Sequence, residues 1–314
     1  MVDQGDGWSG RAGGDHRRLL QRDSAFVVVR LELLGARAET RRRMYFRRRP
    51  HPLLSRHVNY YWCVSDTPRR ESVHVVPSGT LEVVFNLGGD QNRIGGPSEP
   101  AGFTSYADAV VSGAQGRYFV IDVRAHASLI GVHFRPGGAF ALLGVPPGAL
   151  SDAHANLDAV WGARASELLE RLRAAINPEA RFSILDGEFM QRLCRAALLR
   201  DEVCFALRRL GGTNARVDSV AAEVELSHRR FIALFAEQVG VTPKVFSRVG
   251  RFQRAWSLAR RGVSRDWAEL ALTGGYFDQS HLIREFVSLS GLPPVEFLQR
   301  SADAQGHHAA LAGH

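Results

Sequence analysis

The chain has 314 residues, a formal net charge of +8 and a sequence pI near 10.1. Its 45% hydrophobic and 23% charged residues are typical of a globular protein, which excludes a wholly disordered or collagen-like chain. No run of residues approaches the roughly 18 apolar residues of a membrane span. The N-terminus lacks the basic-then-apolar pattern of a signal peptide. The sequence has 3 cysteines without a close pair, which argues against a disulfide scaffold. We therefore expect a cytoplasmic protein of about two domains with no membrane segment.

The positive charge is concentrated near the N-terminus. Residues 1–50 hold 12 arginines and 6 acidic residues, with arginine runs at 41–43 and 47–49, whereas residues 213–300 hold 12 basic and 9 acidic residues. We interpret the N-terminal cluster as a solvated basic tail, with phosphate or acidic-membrane binding as the alternative. Residues 1–45 are expected to be a disordered extension, or one that precedes the true start at Met44, and 25–34 is their only candidate strand.

Residues 46–150 alternate short β-branched or aromatic runs with turns rich in Gly and Pro, which predicts β-sheet. Regularly spaced short strands favour a barrel or a sandwich. The predicted strands are 57–64, 72–76, 80–87, 118–123 and 129–134.

Several side chains of this β region have two interpretations. The histidines at 74, 126 and 133 lie in or near strands and could bind a metal, but histidines satisfied by the fold are the favoured interpretation. Cys63 is interpreted as a small buried hydrophobe, with a reactive thiol as the alternative. The aromatic residues Tyr60, Tyr61, Trp62 and Phe85 are expected in the core, although they could line an apolar pocket.

Residues 151–199 are predicted to be a helical connector because the periodicity changes from two to about 3.6. One apolar stripe runs through Leu168, Leu172 and Ile176, and another through Phe189, Leu193 and Leu198, as read from the sequence. Pro178 separates the two predicted helices.

A repeat with an offset of 51 residues is the most specific feature of the sequence, and it falls within residues 200–300. Phe235 matches Phe286, Gly240 matches Gly291 and Pro243 matches Pro294. Each copy reads as a helix, a short turn and a second helix, for which Ser227 and Asp278 are the expected N-caps. A long helix that begins after Thr242-Pro243 is predicted to join the copies.

The second helix of each copy carries polar side chains opposite its apolar face. A helix in the DNA major groove requires side chains that donate to guanine or adenine edges or touch the thymine methyl group. Arg229, Gln279, Ser280 and Arg284 supply such donors, and Ala233 supplies an apolar contact. Residues expected to contact phosphate are Ser227, Arg230, Lys244, Arg248, Arg251 and His281, with Arg254 as a further cation.

The segment 275–286, GYFDQSHLIREF, followed by Gly291 and Pro294, resembles the second helix-turn-helix signature of the AraC/XylS family of bacterial transcription regulators. The segment from 227 to 243 resembles the first, except that Ala233 stands where the family often has arginine. The resemblance implies seven helices with reading helices that start near 227 and 279. It places base contacts at Arg229, Ile232, Ala233, Gln279, Ser280, Ile283 and Arg284. Residues 51–62, 76–88 and 131–138 are similar to the β domain of one branch of the family, and this similarity implies a cupin-like β domain that senses a ligand or mediates dimerisation.

We therefore predict an α+β protein: a β-barrel sensor domain, a helical connector, an all-α domain with two helix-turn-helix units, and a disordered tail at 301–314. The predicted function is sequence-specific DNA binding in transcription regulation, without catalysis, cofactor or metal. The expected partners are double-stranded DNA, RNA polymerase if the protein activates, a small-molecule effector of the β domain, and a second copy of the chain. The alternative is a metal- or thiol-dependent enzyme or sensor that uses the helical domain as a targeting arm.

Overall fold

The computed structural model describes a β-rich domain followed by a series of helices. The described residues are 29–30, 44–65, 72–89, 91–96, 102–122, 128–194, 197–212, 215–262, 266–302 and 311–312. The strands are β1 (Val29–Arg30), β2 (Met44–Arg48), β3 (Val58–Ser65), β4 (Ser72–Val75), β5 (Glu82–Asn86), β6 (Asn92–Gly95), β7 (Thr104–Tyr106), β8 (Ala109–Ser112), β9 (Phe119–Asp122), β10 (Ser128–Phe134), β11 (His154–Asn156) and β12 (Leu311–Ala312).

The larger sheet contains 7 strands in the order β1-β2-β3-β10-β5-β8-β11, and its neighbours pair antiparallel. Because successive side chains of a strand point to opposite faces of the sheet, β3 contributes residues to two hydrophobic cores. Tyr61 and Cys63 lie in the main core, whereas Tyr60 and Trp62 belong to a small cluster on the opposite face. Gly131 of β10 leaves room for the Trp62 ring, which lies 2.2 Å from where a Cβ would be.

The smaller sheet has the order β12-β4-β9-β6-β7, and it shares no strand with the larger one. The described residues therefore form two sheets, and no closed barrel is found among them. This corrects the predicted barrel: the hydrogen-bond ladder of the larger sheet ends at β11, so it is not continuous around the domain. The α+β class and the N-terminal position of the β-rich domain are as predicted.

Eleven helices are described: α1 (Gly138–Leu143), α2 (Asp158–Trp161), α3 (Ala163–Ala174), α4 (Pro178–Leu193), α5 (Asp201–Gly212), α6 (Val217–Glu223), α7 (His228–Val239), α8 (Pro243–Arg260), α9 (Trp267–Gly274), α10 (Gln279–Ser290) and α11 (Pro294–Ala302). None of these described helices has the length and apolar character needed to cross a membrane.

The segment predicted as a connector is integrated into the β-rich domain. β11 adds the last strand to the larger sheet, and buried side chains of α3 and α4, among them Leu172 and Phe189, join the main core. Ile176 and Leu198 were expected on inner helical faces, but they are 93% and 80% exposed because α3 and α4 end before them. Pro178 begins α4, in agreement with the predicted break.

Two arginines of the 47–49 run have partners within the fold. The guanidinium of Arg47 lies 3.6 Å from the centre of the Tyr60 ring, and Arg48 pairs with Asp186 and with Glu179 of α4. These contacts fix β2 to the domain rather than leaving its arginines in a solvated tail. Apart from Val29–Arg30 and the start of β2, the predicted extension 1–45 lies outside the described residues, as does most of the predicted tail 301–314.

Helices α5 to α11 form the C-terminal region, and their buried residues belong to two different hydrophobic cores. The buried residues Phe231 and Phe235 of α7 belong to the same main core as the β-rich domain. The helices around α10 have a core of their own, which includes Phe252, Phe286 and a single buried residue of the β-rich domain, Val76. The first helix-turn-helix unit is therefore continuous with the β-rich domain, whereas the second is largely separate from it.

Both helix-turn-helix units contact the β-rich domain. A Cβ on Gly148 would lie 2.8 Å from the carbonyl oxygen of Ala236, so the turn at Pro147–Leu150 packs closely on α7. The Gln253 side chain of α8 donates to the Pro77 carbonyl at 2.6 Å. The Nδ1 of His74 lies 3.4 Å from the carbonyl of Ser290, the last residue of α10.

Candidate nucleic-acid interface

The candidate interface is built on α7 and α10, the second helices of the two units. Ser227 Oγ accepts a hydrogen bond from the Arg230 amide at 3.3 Å, and the Asp278 carboxylate accepts one from the His281 amide at 2.6 Å. Both helices end at a glycine in the left-handed region, Gly240 with φ of 97° and Gly291 with φ of 80°. Side-chain caps and left-handed glycines are standard helix boundaries, so both predicted caps are confirmed.

Each helix buries one face and exposes the other, as the periodicity predicts. The side chains that face the cores are 5% exposed or less: Phe231, Leu234, Phe235, Val239, Leu282, Phe286 and Leu289. The residues predicted to contact bases lie on the remaining sides. Arg229, Ala233, Gln279, Ser280 and Arg284 are exposed, Ile283 is 37% exposed and Ile232 is half-buried.

An 18-residue helix, α8, joins the two units. At about 1.5 Å per residue it is about 27 Å long, and Thr242 caps it by accepting a hydrogen bond from the Val245 amide at 3.3 Å. The region from α5 to α11 contains seven helices, the number that the family resemblance implies.

The residues predicted to contact phosphate fall into different environments. Arg230 and Lys244 are exposed, and the Ser227 hydroxyl caps α7. The half-buried His281 accepts from the Phe277 amide at 3.4 Å, and its ring packs edge-on against Tyr276.

Arg248 and Arg251 bind Glu285 of α10, a residue that the sequence analysis did not select. Arg248 Nε donates to Glu285 at 2.8 Å and Arg251 Nη2 at 3.3 Å. The signal that could have identified Glu285 is the repeat itself, since the offset of 51 pairs this acidic residue with the apolar Leu234.

Phe277 is a second residue that the sequence analysis missed. Its ring is 85% exposed, and it directly precedes the N-cap of α10. Its amide donates a hydrogen bond to His281 Nδ1 at 3.4 Å, which ties the backbone of Phe277 to the first turn of α10.

The residues considered for metal binding or thiol chemistry that the structure describes have structural contacts within the β-rich domain. His133 Nε2 lies 3.4 Å from Thr80 Oγ1, and its ring stacks on Tyr60. No group of three His, Cys, Asp or Glu side chains among the described residues could hold a metal, and His126 lies outside that part of the chain. Cys63 is 1% exposed, and burial raises the pKa of its thiol above the usual value, which disfavours the reactive thiolate.

Comparison with known families and structures gives matches to both domains. A family described as "Helix-turn-helix domain" matches residues 220–300. A family described as "Domain of unknown function (DUF6597)" matches residues 46–156, which includes β11. No curated protein matches the chain.

Among solved structures, a variant of apo ToxT from Vibrio cholerae is 12% identical with a TM-score of 0.44, over 76% of this chain and 97% of that one. Unsaturated-fatty-acid-bound ToxT is 12% identical with a TM-score of 0.42, over 76% and 94% of the two chains. A probable AraC family transcriptional regulator from Rhodopseudomonas palustris is 23% identical with a TM-score of 0.29, over 32% and 97%. The match at 220–300 identifies an AraC-type helix-turn-helix domain, which follows the β-rich domain matched at 46–156, and it supports a DNA-binding transcription regulator.

Proposed function

We propose that this protein regulates transcription by reading two adjacent major-groove segments of one DNA duplex, the first with α7 and the second with α10. The observation that carries the proposal is the pair of capped helices whose exposed faces hold residue types suited to base edges. Arginine recognises guanine, glutamine recognises adenine, and an alanine methyl or a side chain such as Ile283 contacts the thymine methyl group. Ala233 therefore makes α7 the more apolar of the two readers.

The length of α8 supports reading by one chain. Equivalent major-groove faces recur about every 34 Å along B-DNA, and a helix of about 27 Å between the units is comparable with that spacing. Since a single chain supplies both reading helices, a site with two patches does not require a dimer. RNA polymerase is the proposed further partner if the protein activates, and a second copy if it dimerises.

The β-rich domain is the proposed control element. It shares the main core with α7, and packed cores transmit displacements because they have low compressibility. A small effector bound in the β-rich domain would therefore act first on the α7 unit.

Selection from a random pool of DNA duplexes tests the proposed function. We expect a recovered site with two short conserved patches about one helical turn apart, bound by one chain per duplex. A titration of salt should give a steep loss of affinity, because phosphate contacts release counterions. A pool without enrichment, tested with and without a cell extract to supply an effector, would refute sequence-specific binding.

Two variants separate the reading of bases from the binding of phosphate. Arg284→Ala should cost about 1–3 kcal/mol on the selected site and relax the preference at one position. Lys244→Ala should weaken binding to all duplexes alike and reduce the salt slope by about one. An Arg284→Ala protein that binds every sequence as the parent does would remove Arg284 from the reading residues.

A further inference from the structure

A cluster of charged side chains joins α10 to α8 beside the proposed interface. The two oxygens of Glu285 accept hydrogen bonds from Arg248 and Arg251, and Arg248 Nη2 also donates to Ser288 Oγ at 2.7 Å. We call these four residues the α8–α10 clamp.

The clamp contacts each helix at two points. Arg248 and Arg251 are three residues apart on α8, and Glu285 and Ser288 are three residues apart on α10, so each pair lies on one side of its helix about one turn apart. Contacts at two levels on both helices oppose rotation of α10 about its axis as well as sliding along α8. The neighbouring Phe286 packs edge-on against Phe252 of α8 at 4.7 Å, which adds an apolar contact between the same helices.

The charged side chains of the clamp are partly buried. The side chains of Arg248 and Arg251 are 26% exposed and that of Glu285 is 15% exposed, so solvent and salt screen these pairs less than fully exposed ones. The Nε of Arg251 is buried without a hydrogen-bond partner, which makes Glu285 the principal partner of that guanidinium.

The first unit holds its reading helix by other means. The repeat pairs Glu285 with Leu234, which is 5% exposed and packs in the main core. A carboxylate next to the DNA-facing Arg284 also repels phosphate, which weakens the electrostatic part of DNA binding. The repulsion between Glu285 and phosphate must therefore be offset by another contribution of this residue. Its contacts with Arg248 and Arg251 indicate that this contribution is the orientation of α10 relative to α8.

We propose that Glu285 is a positioning residue: it holds Arg248 and Arg251 so that α10 presents Gln279, Ser280 and Arg284 to the second groove segment at a fixed rotation. Arg248 and Arg251 then serve the orientation of α10 and not only the binding of phosphate. The inference rests on the proposed function, because it concerns how well α10 discriminates between sequences.

Glu285→Gln tests the inference, with Glu269→Gln of α9 as the control that removes one exposed negative charge from the same unit. Affinities are measured for the selected duplex, for the same duplex with the second patch scrambled, and for one with the first patch scrambled. Glu285→Gln should lower discrimination at the second patch about tenfold, or 1.4 kcal/mol, and leave discrimination at the first patch unchanged. Its affinity for the duplex scrambled at the second patch should not fall, since the variant has lost a charge that repels phosphate.

Arg248→Lys provides a second variant that keeps the charge but loses the planar guanidinium. It should lower second-patch discrimination in the same direction, and combining it with Glu285→Gln should add less than the sum of the two effects because the residues are in contact. Undiminished discrimination in both variants, or an equal loss at both patches, would overturn the positioning role. If the parent protein itself failed to discriminate at either patch, the proposed function would fail instead.

Discussion

Replacing Gly148 with alanine tests whether the β-rich domain and the first helix-turn-helix unit are one packed body. A Cβ at this position would lie 2.8 Å from the Ala236 carbonyl oxygen and 3.0 Å from the Glu237 Cα, both backbone atoms of α7. Backbone cannot move aside by rotating a bond as a flexible side chain can, so the turn and α7 must separate. Overpacking of this kind costs about 1–3 kcal/mol.

Hydrogen exchange measured by mass spectrometry locates the effect. A local loss of about 2 kcal/mol should raise amide exchange in α7 by about thirtyfold, since each 1.4 kcal/mol is a factor of ten. Exchange in α10 should remain as in the parent, because its core is largely separate.

Gly187→Ala in the interior of α4 is the matched control. Outside the backbone of α4 itself and the adjacent residues, no atom lies within 4 Å of the added Cβ, and replacing a helical glycine with alanine should stabilise the protein by about 0.5–1 kcal/mol. If Gly148→Ala left both α7 exchange and the unfolding midpoint unchanged, the contact between the turn and α7 would be wrong, and with it the shared core at this point.

Two further predictions concern a half-buried histidine and a helix cap. Burial lowers the pKa of His154 to about 4 from the ordinary histidine value of 6.5, so the unfolded chain binds this proton more readily than the folded protein does. The stabilising contribution of the neutral ring is therefore complete above pH 6.5 and is lost as the pH falls towards 4. Linkage gives a loss of about 2 kcal/mol between pH 7 and pH 5, and urea unfolding at these pH values should show a smaller loss in His154→Gln than in the parent. Asp278→Ala should destabilise the N-terminus of α10 by about 1 kcal/mol. Amide hydrogen exchange should become faster there and binding to the selected duplex weaker, with no change of exchange in α7. Equal exchange at the start of α10 in variant and parent would contradict the role of Asp278 as a cap.

The helix-turn-helix units could be predicted from the sequence because their boundaries are local. A cap such as Asp278 bonds an amide three residues away, and Gly291 ends the helix through its own φ angle. The buried faces follow the 3.6-residue period, so the exposed residues on the opposite side were predicted together with them.

Parts of the β-rich domain were missed because their partners are distant in sequence. β11 has the sequence His-Ala-Asn, which has little β-propensity, and it becomes a strand by pairing with β8 more than forty residues earlier. β8 is buried at all four positions, so it lacks the alternation that marks a strand with one exposed face. The sequence likewise shows the charges of Arg248 and Arg251 but not that Glu285 binds both.

The different anchoring of the two reading helices has a consequence for regulation. α7 is attached to the β-rich domain through a shared apolar core, in which many contacts must change together. The second unit meets that domain through Val76, through the close approach of Tyr118 to Gly291, and through polar contacts such as those of Gln253 and His74, which are local contacts rather than a shared core. We therefore expect a signal from the β-rich domain to change the angle between α7 and α10 by moving α8 and α10 together relative to α7, because the clamp keeps α10 fixed relative to α8.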